Sequence, residues 1–396
     1  MKYVVVILDG AAGWPLAQLG GKTTLQFAAT PHLDALSRAG RVGMAHTIPA
    51  GSEPSSSAAC TSILGYDPVG DYVGRGAIEA ASMGIQLRPD QLALRLNLVT
   101  VTDGVMQSYS CGSIGTDESN AIVRDIASGL DDATFSLYPG IAYRHILVVT
   151  GHPELLGVAF TPPHDITDRP VAAFLPRGEG AELLLDYIAR ARPLLENSGV
   201  NRCRVADGNL PATDVWPFWP GVAPRSMTSF AERRGISATM SSGVDLLNGL
   251  AVLAGIDRLH IAGVTGGPDN DYTGQAEGAI DALYDHDLVV IHVESPDEEG
   301  HAGNIEGKVA AIEAIDSHVV SCVRARAGAG DVRILAMPDH PTPIEIKTHV
   351  GEPVPFVLWG PGIASNGAER YDEPSAEATG LVLDPGRIVM DELLGG

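Results

Sequence analysis

The chain has 396 residues, with 26 Lys or Arg against 49 Asp or Glu, and its formal net charge at pH 7 is −23. Binding to a nucleic-acid backbone requires clustered basic residues, so this balance excludes that class of protein, and it also opposes binding to an anionic membrane surface. The apolar fraction of 45% and the charged fraction of 19% are those of a globular protein, and the length is typical of two domains.

The predicted strands are short apolar runs, rich in β-branched residues, that recur at intervals too long for hairpins. In chain order they occupy 3–8, 146–150, 288–293, 332–337 and 356–359. Continuous apolar runs of this length fit strands buried on both faces of a sheet. Helical periodicity lies between them, as at 30–36 and 308–316. This alternation predicts an α/β fold with a mostly parallel sheet flanked by helices.

The middle of the chain predicts a separate, inserted domain. Between about 110 and 205 there are apolar segments but no acid or His placed directly after a strand, and Pro162, Pro163 and Pro170 interrupt the pattern. We therefore expect a catalytic domain formed by 1–109 and 206–396, with a smaller α/β cap or substrate domain at 110–205.

Neither the cysteines nor the apolar runs predict a secreted or membrane protein. The cysteines show no spacing typical of a zinc knuckle or a disulfide framework, so we interpret them as reduced thiols. No apolar run approaches the ~18–20 residues of a spanning helix. The run at 3–8 is too short for a signal peptide, and we expect a cytoplasmic protein.

Three segments place potential metal ligands after predicted strands. These ligands are Asp9 after the first run, Asp297 and His301 after the 288–293 run, and Asp339, His340 and His349 after the 332–337 run. Because the carboxyl ends of parallel strands meet at one edge of a sheet, we expect these side chains to lie close together. Imidazole and carboxylate ligands suit Mn²⁺ or Zn²⁺. The set is large enough for two adjacent metal sites.

Each segment alone also has a simpler interpretation. An Asp-Gly pair after a strand is typically a turn. An Asp and a His four residues apart are typical of a solvated helix surface, and Asp339 with His340 could cap a strand. The metal interpretation therefore depends on all three segments falling at the same edge of the sheet.

Further motifs make the chain resemble a known family. They are Asp9-Gly10, Ser62-Ile63-Leu64-Gly65-Tyr66-Asp67-Pro68, Gly74-Arg75-Gly76-Ala77-Ile78-Glu79-Ala80, Arg95-Leu96-Asn97-Leu98-Val99-Thr100, Asp297 with His301, Glu313 with Asp316, and Asp339-His340-Pro341-Thr342-Pro343 with His349. Together they resemble the archaeal-type cofactor-independent phosphoglycerate mutases of the alkaline phosphatase superfamily over nearly the whole chain. The segments 216–221 and 338–343 look most like the bacterial branch proposed to be homoserine kinases.

The resemblance implies an alkaline-phosphatase-like sheet with a cap, and phosphoryl transfer through a phosphoserine. It also implies two divalent ions, Mn²⁺ or Zn²⁺, with Mg²⁺ as a further candidate. One ion would be bound by Asp9, Ser56, Asp339 and His340, and the other by Asp297, His301 and His349. A paired-metal site can deprotonate a serine hydroxyl and neutralise charge on the transferring phosphoryl group.

Counting back from the motif that contains Gly65 assigns the nucleophile to Ser56. Ser52 lies in a segment that looks superficially more like the family motif but is four residues too far upstream, and Ser52 and Ser57 remain alternatives. Without the resemblance, three consecutive serines would indicate a flexible loop.

Three positions depart from the family pattern. Ser57 and Cys60 replace an acid and an Asn or His, and Gln275 replaces a Lys that binds the phosphoryl group. A neutral amide cannot supply the same electrostatic stabilisation. Gln275 therefore raises the question of whether the substrate or the rate differs.

An acidic protein must concentrate positive charge locally to bind a phosphorylated anion. The candidates are Arg75, Arg95, Arg144 and Arg202, of which Arg75 and Arg144 resemble family positions best. His164 is a further family-like position, and Gln275, at the place of the family's Lys, is also a candidate for substrate binding. A planar guanidinium can bind phosphate or carboxylate through two hydrogen bonds. The alternative for each Arg is a surface charge that aids solubility.

Three functions remain open at this point. The first is interconversion of 2-phosphoglycerate and 3-phosphoglycerate, and the second is a kinase-like or hydrolytic activity with another acceptor, for instance homoserine. The third is a metal-binding protein without catalytic activity. The expected partner is a phosphorylated small molecule, with no nucleic acid and no membrane, and the oligomeric state is left open.

Overall fold

The structure, a computed structural model, describes residues 1–71, 73–223, 227–328 and 330–395. The strands, in chain order, are β1 (Lys2–Leu8), β2 (Arg41–Ala45), β3 (Gln91–Thr102), β4 (Val105–Ser108), β5 (Phe135–Ile141), β6 (Arg144–Thr150), β7 (Asp214–Val222), β8 (Ala238–Ser241), β9 (Asp257–Arg258), β10 (Leu288–Val293), β11 (Val332–Met337), β12 (Val354–Trp359) and β13 (Val382–Leu383).

The α-helices, in chain order, are α1 (Thr24–Phe27), α2 (Pro31–Ala39), α3 (Ser56–Ile63), α4 (Arg75–Ser82), α5 (Thr116–Leu130), α6 (Ala181–Glu196), α7 (Gly199–Ala206), α8 (Phe230–Arg234), α9 (Asp245–Leu253), α10 (Tyr272–Ala282), α11 (Ser295–Ala302), α12 (Ile305–Ala314), α13 (Ser321–Ala327), α14 (Glu373–Ala378) and α15 (Ile388–Leu394). Among the described residues, no helix combines the length and the apolar character needed to cross a bilayer.

The chain divides into two compact units, the first formed by Met1–Tyr72 with Ser226–Gly396 and the second by Val73–Arg225. The first unit is built on a sheet with the strand order β13-β2-β12-β11-β1-β10-β8-β9. β1 pairs in parallel with β10 and with β11, while β12 runs antiparallel to β11 and β2. Helices pack against this sheet, for example α2 against β12 and α10 against β10. The predicted α/β fold with a mostly parallel sheet is therefore confirmed.

The parallel core of this sheet brings three chain segments to one edge. Asp9 directly follows β1, and Asp339 lies just after β11. The helix α11, which carries Asp297 and His301, starts at Ser295 directly behind β10. This placement follows the rule that functional side chains of parallel sheets gather at the carboxyl ends of the strands.

The second unit is a smaller antiparallel sheet with helices packed against it. Its strands follow the order β4-β3-β6-β5, and β7 pairs with β3. Ile122 of α5, Leu184 of α6 and Leu147 of β6 are buried in its apolar core. The predicted strand at 146–150 lies in β6, so it belongs to this antiparallel sheet and not to the parallel one.

The inserted unit is wider than the segment 110–205 that the sequence suggested. β3 and β7 both lie outside that segment, yet they pair with each other in this sheet, and α4 packs on both strands. Local composition shows that β3 is apolar but does not show which strand it pairs with. The boundary was therefore drawn too late at one end and too early at the other.

Candidate metal centre

The turn after β1 depends on Gly10. Its φ is +61°, a left-handed conformation that other residues rarely adopt. A Cβ atom at this position would lie 2.4 Å from Asp297 Oδ1 and 2.6 Å from Thr342 Oγ1. Glycine therefore lets the end of β1 bring Asp9 close to the side chains that follow β10 and β11.

Four predicted side chains meet around Nε2 of His340, forming the first cluster. Ser56 Oγ lies 3.1 Å from this nitrogen, Asp339 Oδ2 lies 3.3 Å from it, and Asp9 Oδ1 lies 3.6 Å from it. Asp9, Asp339 and His340 are fully buried, and Ser56 is 7% exposed. The structure thus brings together the whole of the first ligand set that the sequence suggested.

Asp297, His301 and His349 form the second cluster. His301 Nε2 lies 3.1 Å from Asp297 Oδ2, and His349 Nε2 lies 3.5 Å from Asp297 Oδ1. Asp297 and His301 can meet because residues four apart share one face of a helix, here α11. The rings of His349 and His340 have centroids 4.0 Å apart, so the two clusters are adjacent.

Hydrogen bonds direct one oxygen of each aspartate into the first cluster. Asp339 Oδ1 accepts from the backbone N–H groups of Gly10 at 3.1 Å and His340 at 2.8 Å, which leaves Oδ2 for the cluster. Asp9 Oδ2 lies 2.7 Å from His292 Nε2, while Asp9 Oδ1 has no hydrogen-bond partner among the described residues. A fully buried carboxylate oxygen without a partner is expected of a residue that binds a cation.

His301 and His349 turn the same ring atom toward the second cluster. His301 Nδ1 lies 2.9 Å from the carbonyl oxygen of Lys347, and His349 Nδ1 lies 3.4 Å from that of Pro54. A carbonyl oxygen only accepts, so each Nδ1 donates a proton and the lone pair of the neutral ring is on Nε2. The two Nε2 atoms are 2.9 Å apart. Lone pairs at this distance repel unless a proton or a cation lies between them.

The surroundings shift the pKa values of Asp9 and Asp297 in opposite directions. Burial, together with the charges of Asp339 and Asp297, raises the pKa of Asp9 well above its ordinary value. Burial also opposes ionisation of Asp297, but its hydrogen bonds with His301 and His349, together with the charges of His340 and His349, outweigh burial and bring its pKa well below the ordinary value. The hydrogen bond with Asp297 raises the pKa of His301 to about 9. Acids packed this densely without solvent require bound positive charge.

Thr342 contacts both clusters and Lys308 holds the backbone of Thr342, and neither residue was predicted from the sequence. Thr342 Oγ1 donates to Asp297 and lies 3.3 Å from His340 Nδ1, which leaves Nε2 of His340 for the first cluster. Lys308 Nζ donates to the carbonyl oxygens of Thr342 at 2.7 Å and Ala12 at 3.2 Å. Burial lowers the pKa of Lys308 to about 8. In the sequence this Lys appears as an ordinary polar residue of a helix.

His292 and Glu294 were missed as well. His292 is fully buried in β10, where Nδ1 lies 3.0 Å from Ser242 Oγ and Nε2 contacts Asp9. Glu294 Oε2 lies 3.6 Å from His292 Nε2 and has no hydrogen-bond partner in the described part of the chain. Asp9, His292 and Glu294 therefore form a third group of potential ligand atoms. A His within an apolar strand was the available signal.

Ser56 is the predicted serine that the structure brings into the first cluster. It is the first residue of α3, whose N-cap Ser55 accepts a hydrogen bond from the backbone N–H of Ala58. Ser57 Oγ instead lies 3.1 Å from Ser55 Oγ. The partial positive charge at the start of α3 favours a negatively charged group on Ser56.

Gln275 and Cys60 both lie in buried polar surroundings. Gln275 is fully buried, its Nε2 donates to the carbonyl oxygen of His292 at 3.0 Å, and its Oε1 accepts from Asn270 at 2.9 Å. Both ends of the amide are thus bonded to the polypeptide, and a contact with substrate stays a prediction. Cys60 Sγ lies 3.8 Å from Asp339 Oδ2.

Three of the predicted substrate-binding residues form a group in the second unit. Arg75 Nε and Arg95 Nη1 bind the same oxygen, Glu79 Oε1, at 3.0 Å and 3.1 Å. The ring of His164 has its centroid 5.6 Å from that of Trp219, over which the Arg75 guanidinium also lies. The structure thus collects Arg75, Arg95 and His164 around one aromatic side chain.

Arg144 and Arg202 are exposed. The Arg144 guanidinium lies 5.8 Å from the ring of Tyr143. Arg202 donates to the carbonyl oxygen of Asn197 at 2.8 Å on the surface of the second unit. Arg202 therefore fits its alternative interpretation as a surface charge.

Comparison with known proteins finds relatives over the full length of the chain. The sequence model for 2,3-bisphosphoglycerate-independent phosphoglycerate mutase matches residues 37–201. A probable 2,3-bisphosphoglycerate-independent phosphoglycerate mutase of Geobacter sulfurreducens is 43% identical over 400 residues and covers 100% of both chains. The 2,3-bisphosphoglycerate-independent phosphoglycerate mutase of Methanothrix thermoacetophila is 43% identical over 398 residues, also with 100% of each chain covered.

Solved structures show the same fold. A protein of Pyrococcus horikoshii matches with a TM-score of 0.84 and 27% identity, covering 100% of this chain and 96% of that one. A cofactor-independent phosphoglycerate mutase of Thermoplasma acidophilum matches with a TM-score of 0.69 and 28% identity, covering 100% and 99%.

Proposed function

The chain belongs to the 2,3-bisphosphoglycerate-independent phosphoglycerate mutase family, and from this premise we propose that it interconverts 2-phosphoglycerate and 3-phosphoglycerate through a phosphoserine on Ser56. The observation that carries the proposal is the meeting of Ser56 Oγ with His340 Nε2, Asp339 and Asp9 next to a second cluster of two imidazoles and a carboxylate.

The donor set fits divalent cations. Asp9, Ser56, Asp339 and His340 would bind one ion, and Asp297, His301 and His349 the other. The unpartnered Asp9 Oδ1 and the two facing Nε2 atoms of the second cluster support this assignment. Imidazole with carboxylate favours Mn²⁺ or Zn²⁺ over Mg²⁺, which prefers oxygen ligands alone. Such ions, when bound, acidify the serine hydroxyl and neutralise charge on the phosphoryl oxygens.

In the first half of the proposed reaction, Ser56 Oγ attacks the phosphorus of 3-phosphoglycerate. A bond forms between Oγ and phosphorus while the bond from phosphorus to the C3 oxygen breaks, and the hydroxyl proton of Ser56 passes to that oxygen. The glycerate then reorients, its C2 hydroxyl attacks the phosphoserine, and its proton returns to Ser56 Oγ. Covalent capture thus divides one transfer into two simpler ones.

Residues of this chain hold the nucleophile in position. Ser56 is fixed at the start of α3 by the cap at Ser55, and its oxygen is directed to His340. His292 and the backbone N–H groups of Gly10 and His340 fix the aspartates. Positioning of this kind contributes to catalysis because the reacting atoms need no rearrangement at the moment of transfer.

The proposal assigns substrate binding to residues of the second unit. Arg75, Arg95 and His164 are supported by their shared cluster, and Arg144 by its positive charge near Arg95.

Gln275, with its amide bonded to Asn270 and His292, would act by fixing the backbone at the end of β10. We also propose a cytoplasmic location, which a glycolytic substrate and cysteines without disulfide spacing support.

An activity assay tests the proposal. The purified chain, dialysed against chelator and supplied with Mn²⁺, should convert 3-phosphoglycerate to 2-phosphoglycerate without added 2,3-bisphosphoglycerate. Parallel reactions with ATP and L-homoserine, and with phosphate esters in water, test the kinase-like and hydrolytic alternatives. Transfer to homoserine without isomerisation of phosphoglycerate would replace the proposal, and metal binding without any turnover would favour a catalytically silent relative.

A further inference from the structure

Arg75 and Arg95 of the second unit share a single counter-ion. Both guanidinium groups bind Glu79 Oε1, at 3.0 Å and 3.1 Å, so two positive charges face one negative charge. The pKa of Arg95 is lowered by burial, raised by Glu79 and lowered again by the positive charges of Arg75 and Arg144. This group therefore has an excess of positive charge, which a bound anion would balance.

Arg95 has a free donor in this buried group. Its side chain is 8% exposed, and its Nε has no hydrogen-bond partner among the described residues. A buried guanidinium N–H without an acceptor is costly and therefore uncommon. The same cluster includes His164, whose pKa is lowered by burial and by the charges of Arg95 and Arg75 despite the opposing effect of Asp165. These surroundings favour an anionic ligand.

Trp219 holds the two guanidinium groups in this arrangement. Its ring centroid lies 4.2 Å from Cζ of Arg75 and 5.5 Å from Cζ of Arg95. The backbone of Trp219 has φ of +47°, in the left-handed region that non-glycine residues seldom adopt. The pairing of β3 with β7 also shifts register between Leu94 and Arg95, opposite this residue. Strain and a bulge that aim a side chain are typical of functional positions.

We propose that Trp219 is a positioning and specificity-determining residue that holds Arg75 and Arg95 as a binding site for the anionic group of a small substrate, and that this site selects against substrates with an ammonium group. The inference rests on the proposed function and deepens it by naming the substrate class. Phosphoglycerate carries carboxylate and phosphate groups, whereas homoserine carries an ammonium group beside its carboxylate.

The charge of the cluster gives the reason for this selection. Glu79 Oε1 is already bonded to both guanidinium groups, so one carboxylate balances only part of their combined charge. An ammonium placed here would face two like charges in a partly buried site, where screening is weak. A carboxylate or phosphate oxygen would instead accept from the free Nε–H of Arg95.

Steady-state kinetics of Trp219→Leu and Trp219→Phe test the inference. Leucine keeps apolar bulk but removes the π face, so KM for 3-phosphoglycerate should rise about 3- to 30-fold while kcat changes by less than about 2-fold. Phenylalanine keeps a π face and should restore KM to near the wild-type value. Phe174→Leu is the matched control, because Phe174 forms a separate pair with Arg169, 4.4 Å from its ring, and should leave KM unchanged.

Calorimetric titration of the same proteins compares their affinities for four ligands. These are 3-phosphoglycerate, D-glycerate, inorganic phosphate and L-homoserine. Wild-type protein should bind the anions and bind homoserine at least 10-fold more weakly than D-glycerate. The inference would be overturned by an unchanged KM in Trp219→Leu or by an equally raised KM in Trp219→Phe. Homoserine binding as tight as that of glycerate would also overturn it. If circular dichroism shows that Trp219→Leu is unfolded, Arg75→Lys takes its place and should also raise KM. A wild-type KM in Arg75→Lys would overturn the inference.

The two proposals fail in different ways. If the wild-type protein shows no isomerisation but binds D-glycerate in a manner that depends on Trp219, the mutase assignment is wrong and the anion site stands. If isomerisation proceeds and KM does not depend on the ring at 219, the mutase assignment stands and the inference about Trp219 is wrong.

Discussion

Replacing Ser56 by alanine should distinguish its role in catalysis from its contribution to stability. Ser56 is 7% exposed, and its Oγ has one described hydrogen bond, to His340 at 3.1 Å. Losing one such bond costs about 1 kcal/mol, which corresponds to a fall in Tm of about 2–4 °C for a domain of this size class. The hydroxyl is also the proposed nucleophile, and removing a nucleophile lowers kcat by about 10⁴- to 10⁶-fold. Activity should therefore disappear while the fold is kept.

Three measurements on Ser56→Ala check this expectation. Isomerisation of 3-phosphoglycerate with Mn²⁺ gives kcat, thermal denaturation gives Tm, and intact mass after incubation with substrate reports a phosphorylated chain. Ser52→Ala and Ser57→Ala are the matched controls and should keep most of the activity. A tenth or more of the wild-type kcat in Ser56→Ala, or its loss in Ser52→Ala or Ser57→Ala instead, would refute the assignment of the nucleophile.

Three further predictions concern metal binding and pH. His301→Ala should lower metal content by elemental analysis and activity together; full metal content would argue against a role as ligand. His292→Asn removes the 2.7 Å contact with Asp9, so calorimetry should show metal affinity weaker by about 10- to 100-fold, and an unchanged affinity would contradict this role. Burial lowers the pKa of His145 from 6.5 to about 3. The unfolded chain therefore takes up this proton first as pH falls, and stability present above about pH 6.5 is lost toward pH 3, by about 2 kcal/mol at pH 5. Urea denaturation at pH 7 and pH 5 should show a smaller loss in His145→Gln than in wild type, and equal losses would exclude this His.

The meeting of the acids that follow strands was predictable because a parallel sheet brings residues that are far apart in the sequence to one edge. Asp9, Asp297 and Asp339 are far apart in the chain, yet each follows a strand of one parallel group, β1, β10 and β11. Apolar runs with an acid at the end are visible without any structure. The assignment of Ser56, by contrast, depended on spacing within a family motif.

The supporting residues were not predictable, since their position depends on contacts that local patterns do not encode. His292 lies in an otherwise apolar run, and nothing in that run indicates that its ring reaches Asp9. Lys308 is on a helix whose sequence suggests an exposed position, although it is fully buried against two carbonyl oxygens. Trp219 was noted within a motif, but its contact with Arg75 follows from a bulge that the sequence does not show.

The boundary of the inserted unit was misjudged for a related reason. Strand existence follows from composition, whereas strand pairing is decided by the whole sheet. β3 is apolar enough for either unit. Its partner β6 lies inside the segment first assigned to the insertion, whereas its other partner, β7, lies beyond the end of that segment.

Anomalous diffraction from crystals grown with Mn²⁺ would locate the two proposed metal ions. We expect two neighbouring peaks in the first unit, one in contact with Ser56 Oγ, Asp9, Asp339 and His340, and the other with Asp297, His301 and His349. Peaks away from these side chains, or a well-occupied crystal in which the imidazoles of His301 and His349 contact no metal, would contradict it.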